Sequence, residues 1–248
     1  MKRLYGLIGY PLEHSFSPGY FKQKFAALGL NDADYRLFPL ENIADFPAFM
    51  KRHPGLEGVN ITIPHKEAIM AYLDEVDLAA REIGAVNTVQ INQKSEKTYL
   101  KGYNTDYIGF RKSIEKELQP KHRMALVLGT GGSSKAVVYA LKQLNVPCQL
   151  VSRSVKAGEL SYQDLDAACL RDYQIIVNTT PLGMFPHINQ APDIPYHLLN
   201  DSHLLFDLIY NPEETHFLQK GKEQGAAVMN GQEMLEMQAD AAWRVWND

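Results

Sequence analysis

Between Gly58 and Ala68 the chain reads GVNITIPHKEA, with apolar Val59, Ile61 and Ile63 alternating with polar Asn60 and Thr62. A period of two predicts a strand with its three aliphatic residues in a core and Asn60 and Thr62 on the opposite face. Pro64 stops that strand and suits the first position of a helix over HKEAIMAYL. Lys66 then falls in the first helical turn, where the backbone dipole already presents partial positive charge and a cation is mildly unfavourable. A lysine in that place asks for a chemical reason.

The same patterning repeats along the chain. YGLIGY reads as a strand and SPGYFKQKFAALG as a helix. In that helix Ser17 can cap, Pro18 suits the first turn, Phe21, Phe25 and Leu28 share a face, and Gly29 closes the end. YRLFPL, a helix from about Asp45 to Lys51, and the adjacent strands AVNTVQI and TYLKGYN complete a first block. After Asn104 a helical stretch, TDYIGFRKSIEKEL, ends near Pro120. A second series then begins, with strands MALVLG, CQLVS, QIIVNTT, HLLFDLI and AAVMN. Two consecutive α/β series predict two domains, over residues 1–103 and 104–231, with a cleft between them. The last stretch, GQEMLEMQADAAWRVW within 232–248, is helical by spacing and fits either domain.

Composition narrows the function classes. The 248 residues carry 25 Lys plus Arg against 29 Asp plus Glu, a net charge of −4. That balance argues against nucleic acid or an anionic membrane surface as partner and for a small molecule. Two cysteines, Cys148 and Cys169, are too few for a disulfide scaffold and form no metal or redox pair. The apolar run in MKRLYGLIGYPLEHS is short and broken by glycine and proline, unlike a secretory signal, and no stretch approaches the roughly 20 apolar residues of a membrane span. These features predict a cytoplasmic protein without a metal.

LVLGTGGSSKAVVYAL follows an apolar strand and opens an apolar-faced helix, the context in which a glycine loop reads as dinucleotide-binding. Gly129 permits the tight turn, Gly131 lets backbone approach a pyrophosphate, amides from about Gly132 onward face its charge, and Ser134 is small enough for close packing. An NAD site places Asp or Glu about 20 residues further on, for the ribose hydroxyls. Here CQLVSRSVK offers Ser152, Arg153, Ser154 and Lys156 and no acid. A guanidinium grips a 2′-phosphate that a carboxylate would repel, so NADP is the cofactor expected.

Small polar groups also gather at strand ends in the first block: Ser15 and Ser17, Asn60 and Thr62 with Lys66, Asn87, then Asn104 and Asp106. Each alone has a structural explanation as a cap, a turn former or a surface lysine. Together they are chemically complete. Reducing a ketone with a nicotinamide needs an acid for the carbonyl oxygen. Lys66 can be that acid, Asp106 can orient it, and the hydroxyls and amides suit a polyhydroxylated acid.

At this point the motifs resemble the shikimate dehydrogenases. GYPLEHSFSP, NITIPHK, GAVNT, GYNTD, GTGGSSK, NTTPLGM, FDLIYNP and GQEMLEMQA occur in that family's order and span nearly the whole chain. The resemblance implies an N-terminal substrate domain, a Rossmann-type NADP domain, and reversible reduction of 3-dehydroshikimate to shikimate by NADPH. It implies that Lys66 is catalytic with Asp106 as partner, that Ser15 and Ser17 hold the substrate carboxylate, and that Thr62, Asn87 and Asp106 meet ring hydroxyls with Asn60 close by. Tyr210 and Gln238 match two further substrate-contacting positions. Gly129, Thr130, Gly131, Gly132 and Ser133 match the pyrophosphate loop, Ser152, Arg153 and Ser154 the 2′-phosphate loop, and Leu208 and Gly231 the nicotinamide lining. The final helix returns, in that family, to the substrate domain, and assembly as monomer or homodimer is expected.

The chain departs from the family pattern in three places. SRSVKA replaces the commoner Asn-Arg-Thr with its further basic residue. The segment 155–173 is short, weakly helical and contains Gly158, so the helix after the second strand is expected to be reduced. The chain also ends soon after the last helix, where relatives commonly add another, leaving surface to solvent or to an oligomer. Rival readings are a quinate or aminoshikimate dehydrogenase on the same scaffold and a non-catalytic ligand-binding regulator. Ser17 in place of threonine, together with Arg153, leans toward shikimate and NADP; the presence of both Lys66 and Asp106 counts against the regulator.

Overall fold

A computed structural model describes residues 3–13, 15–94 and 97–247. The chain divides into two compact units, Met1–Thr105 with Gln238–Asp248, and Asp106–Met237. The first contains β1 (Arg3–Gly9), α1 (Ser17–Ala27), β2 (Ala33–Pro39), α2 (Phe46–Arg52), β3 (Leu56–Ile61), β4 (Glu75–Val76), α3 (Leu78–Ile83), β5 (Thr88–Lys94) and β6 (Lys97–Tyr103). Its six-stranded sheet has the order β2-β1-β3-β5-β6-β4. The strands β1, β2 and β3 run parallel, β5 returns antiparallel to β3, and β5 and β6 form a hairpin.

Both faces of this sheet are covered. One packs Ile8, Phe46, Phe49, Val59, Ile61 and Ile69 together. On the other, Tyr5, Phe21, Phe25, Tyr35 and Trp246 form an aromatic layer. Parallel strands need cover on both faces, so alternation in β3 does not expose its polar member, and Asn60 is only 6% accessible.

Four local expectations are corrected. Ile63 does not enter the core but is 63% exposed, because β3 ends at Ile61 and the alternation ends with it. HKEAIMAYL is not an α-helix with Pro64 at its start. It forms a turn at Lys66 followed by a short 3₁₀ helix, Ala68–Tyr72. A distant partner takes a carbonyl an α-helix would use, since Lys66 O accepts from Val86 N at 2.7 Å, and the His65 ring is anchored outside the segment, its Nε2 donating to Leu40 O at 2.5 Å. In α1, Ser17 is the first helical residue rather than a side-chain cap, with its amide donating to Ser15 Oγ at 3.3 Å. Leu28, just past the helix, is 50% exposed rather than aligned with Phe21 and Phe25, while Gly29 (φ +68°) closes the helix as expected.

The second unit contains α4 (Asp106–Glu115), β7 (Ala125–Leu128), α5 (Gly132–Gln143), β8 (Cys148–Val151), α6 (Ala167–Asp172), β9 (Ile175–Asn178), β10 (Leu204–Asp207), α7 (His216–Glu223) and β11 (Ala227–Met229). The last helix, α8 (Gln232–Asn247), gives Met234 to this unit's core and Ala239, Ala242 and Trp246 to the first unit's core. All five strands are parallel, in the order β8-β7-β9-β10-β11. This is a doubly wound α/β sheet whose strand order reverses between β7 and β9, the point at which such sheets bind ligands. The segment after β8 is reduced, as its composition predicts. Gly158 (φ +84°) turns the chain so that Leu160 donates to Leu150 O and accepts from Ser152 N, each at 2.9 Å. Pairing along β8 leaves only a 3₁₀ turn, Tyr162–Asp164, and the six residues of α6. Among the described residues no helix is long and apolar enough to cross a membrane.

Candidate active site

In the first unit the candidate residues converge where β1, β3 and β5 meet. Thr62 donates its amide to Ile8 O at 2.9 Å and accepts from His65 N at 2.9 Å, and its methyl fills the space a Cβ on Gly9 would need. Lys66 follows, half-buried, with its carbonyl on Val86 N. Val86 precedes Asn87, whose carbonyl accepts from Ile61 N at 2.8 Å. Backbone bonds therefore place the lysine's turn beside the asparagine.

Asn87 is the hub of a buried polar network. Its Oδ1 accepts from Thr105 N at 2.6 Å, Thr105 Oγ1 at 3.2 Å and Thr88 Oγ1 at 3.1 Å. Its Nδ2 lies 3.0 Å from Thr105 Oγ1 and 3.4 Å from Gln238 Oε1, which also accepts from Thr105 Oγ1 at 3.3 Å. Asn60 closes the other side: Nδ2 donates to Asn87 O and Thr88 Oγ1, and Oδ1 accepts from the Tyr35 hydroxyl at 2.8 Å. Burial holds the Tyr35 phenol well above its ordinary pKa, and the adjacent Ser17 hydroxyl offsets part of that. Thus Asn60, Asn87 and Gln238 are brought together directly, and Ser17 reaches them through Tyr35. Asn104 turns its amide to Ala85 O at 2.9 Å.

In the second unit, Asp106 is the first residue of α4 and is buried. The glycine loop lies at the sheet's switch point. Gly129 has φ +109°, and a Cβ there would meet Thr179 Oγ1 at 2.8 Å, so only glycine fits. Thr130 and Gly131 are at least partly exposed, and the Cβ direction of Gly131 is open. Gly131 precedes α5, whose first turn therefore opens at this loop, and a helix N-terminus favours an anion. Ser134, buried, donates to Gly131 O at 2.6 Å and tightens the turn.

After β8, Ser152 Oγ accepts from Ser154 N at 3.2 Å and shapes a turn that presents Arg153 and Ser154 to solvent. Residues 152–158 hold Arg153 and Lys156 and no carboxylate. The residues present fit a dinucleotide carrying a 2′-phosphate.

Elsewhere in this sheet, at the end of β10, a buried acid ties three segments together. Asp207 ends β10 with 0% exposure. Its Oδ1 accepts from Asn178 Nδ2 at 3.0 Å and Ile209 N at 3.1 Å, and its Oδ2 from Thr215 Oγ1 at 2.6 Å. Burial pushes its carboxyl up to about 7, against the three donors. Asn178 Oδ1 accepts from Thr180 N and Oγ1, fixing the start of TTPLGM. Leu208 and Gly231 are in close register, since a Cβ on Gly231 would sit 2.1 Å from Leu208 O; Tyr210, half-buried, follows.

Sequence reasoning missed Tyr35, Thr88, Thr105, Asn178 and Asp207, which organise the site. A signal was available, since the chain repeats Asn-Thr at three strand ends, 87–88, 104–105 and 178–179. Tyr35 and Asp207 had none, being an aromatic residue and an acid at strand positions that look ordinary.

Comparison with known proteins places the chain among named relatives. Residues 7–89 match a family model described as the shikimate dehydrogenase substrate binding domain. Over 264 residues, covering 98% of this chain and 91% of the relative, the sequence is 39% identical to the shikimate dehydrogenase (NADP(+)) of Methanococcus maripaludis. Shikimate 5-dehydrogenase from Thermus thermophilus, in complex with NADP(H) and shikimate, aligns with a TM-score of 0.86 at 31% identity, covering 98% of this chain and 93% of that one. Quinate dehydrogenase from Corynebacterium glutamicum, in complex with NAD, also gives 0.86, at 28% identity over 99% and 93%.

Proposed function

This chain belongs to the shikimate dehydrogenase family, and from that premise we propose that it interconverts 3-dehydroshikimate and shikimate with NADP(H), Lys66 carrying the proton. The reaction is a step of the shikimate pathway toward aromatic amino acids. One observation carries the residue assignment: the backbone bond from Val86 N to Lys66 O seats the Lys66 turn beside Asn87, so a proton donor and a hydroxyl-binding amide share one junction.

NADPH, when bound, supplies the hydride for the carbonyl carbon. The Lys66 ammonium donates to the carbonyl oxygen as charge develops there, and in the reverse direction the neutral amine takes the hydroxyl proton. Asp106, next in the chain to the Asn87-bound Thr105, orients the ammonium and accepts from a ring hydroxyl. Ser15 and Ser17 hold the carboxylate. Thr62, Asn87, Tyr210 and Gln238 contact the ring, and Asn60 fixes Asn87 and Thr88 behind it. Gly129 to Ser133 hold the pyrophosphate, Ser152, Arg153 and Ser154 the 2′-phosphate, and Leu208 and Gly231 border the nicotinamide. The same reading makes the protein cytoplasmic, monomeric or homodimeric, with the unpaired thiols of Cys148 and Cys169 suited to a reducing compartment.

The rival is quinate with NAD, as in the Corynebacterium structure. Arg153, with no acid among residues 152–158, favours NADP. Measuring NADP- and NAD-dependent oxidation of shikimate and of quinate decides between them; a preference for NAD and quinate overturns the proposal.

A further inference from the structure

Asp207 is the buried acid that the chemistry above leaves without a task. Its two oxygens collect three donors from three segments: Asn178 at the end of β9, Ile209 in the turn after β10, and Thr215 at the start of α7. Two of these segments carry cofactor-side residues. Asn178 also sets Thr180 and, through Nδ2, reaches Leu182 O, while its own carbonyl accepts from Leu208 N at 3.0 Å. The Ile209 carbonyl accepts from Gly231 N at 2.9 Å, against which Leu208 is already packed without room for a Cβ. Leu208, Gly231 and the Thr180 turn therefore hang from one carboxylate.

We propose that Asp207 is a positioning residue for the nicotinamide-side loops, its ionised carboxylate gathering Asn178, Ile209 and Thr215, and that NADPH affinity depends on its charge. The inference rests on the reading that Leu208 and Gly231 border the nicotinamide. Three donors on two oxygens describe a charged acceptor. Protonation adds an O–H on one of those oxygens, so Thr215 must turn its hydroxyl or lose the bond. Burial is what brings that protonation up to about 7. Asn178, Ile209 and Thr215 carry no charge; the titratable and charged groups nearby are Tyr196, its phenol raised first by burial and then by Asp207, with Asp193 and Tyr162 beside it and the Lys220 ammonium over its ring.

The test reads NADPH binding by its fluorescence between pH 6 and pH 8. If only the ionised form binds well, affinity falls roughly tenfold from pH 8 to pH 6 as the competent fraction drops. The 2′-phosphate titrates near pH 6 as well, but Asp207→Asn carries the same phosphate and subtracts it. That variant is expected to bind weakly throughout, with the Asp207 part of the pH dependence gone. Thr215→Val keeps the acid, removes one donor to its charge and moves the transition to higher pH. It decides the matter even where the asparagine variant does not fold. A wild-type profile that matches Asp207→Asn, or a Thr215→Val midpoint that stays in place, overturns the proposal. Shikimate turnover is measured in parallel: absent turnover with intact pH-dependent binding defeats the substrate reading and leaves this one standing.

Discussion

Replacing Gly58 with alanine tests how tightly the site's supporting strand is held. Gly58 lies in β3 on the same face as Asn60, and a Cβ there would sit 2.4 Å from both Cδ1 and Nε1 of Trp246 and 2.7 Å from Cε2. The indole has little freedom to retreat. It stacks on Tyr5 at a centroid distance of 5.0 Å, tilts against Phe21 at 5.4 Å and donates Nε1–H to Val89 O at 3.1 Å. Overpacking of this kind costs about 1–3 kcal/mol, and displacing the indole bond adds about 1 kcal/mol. A loss of roughly 2–4 kcal/mol lowers the melting temperature of a chain this size by about 5–15 °C.

Tryptophan fluorescence is the suitable assay, because the chain's two tryptophans, Trp243 and Trp246, both lie on the part of α8 that belongs to the first unit. The decisive measurement is a double-mutant cycle with Trp246→Leu. With the indole gone, Gly58→Ala should cost less than about 1 kcal/mol, giving a coupling of at least about 1 kcal/mol between the two positions. Equal costs in the two backgrounds would refute the steric argument.

Three further outcomes are expected. Lys66→Ala lowers kcat by about 100-fold to 10,000-fold with a much smaller change in substrate affinity; near-normal turnover removes Lys66 from the mechanism. Arg153→Ala weakens NADPH more than NADH, which lacks the 2′-phosphate, and equal losses mean that the arginine reads something else. Asp207, raised from 3.8 to about 7, binds its proton more tightly folded than unfolded. Its contribution to stability is therefore full below about pH 4 and lost as pH rises through about 7, by about 4 kcal/mol at most. Urea melts across that range should show Asp207→Asn with a flatter profile than the parent protein, and an unchanged slope would show that the carboxyl is not shifted.

The glycine loop was legible because its determinants are local: an apolar strand, a positive-φ glycine and a helix follow one another within about 20 residues. The five strands of the second unit were legible for the same reason, as short apolar runs bounded by turn residues. The Lys66 segment was not. Its composition suits a helix, but Val86, distant in sequence, takes the Lys66 carbonyl that would have helped to build one, and the His65 ring is drawn to Leu40. The face of Asn60 was hidden as well, since the aromatic layer over it is completed by Trp246, near the far end of the chain. Alternation gives two faces, and only the tertiary fold decides whether one of them meets water.

The buried polar groups explain why residue type at strand ends reads function only in part. Asn87, Asn104 and Asn178 all end or border strands, yet each amide is engaged with protein: Asn87 with Thr105 and Gln238, Asn104 with Ala85, Asn178 with Asp207. A buried amide left without partners costs about 1–3 kcal/mol, so these side chains are satisfied first by the fold. Satisfaction does not remove them from function. An asparagine held through Oδ1 by Thr105 N cannot rotate, and its remaining bonding directions are fixed before a ligand arrives, which lowers the entropy cost of binding. Lys66 gains in the same way. Its carbonyl is held by Val86 and the neighbouring His65 ring by Leu40 O, so the backbone that carries the Lys66 side chain is set by the fold. The oddity of a lysine in a helix's first turn is gone, because no α-helix is there, and the proton transfer proposed for Lys66 is the reason offered for a lysine after that strand.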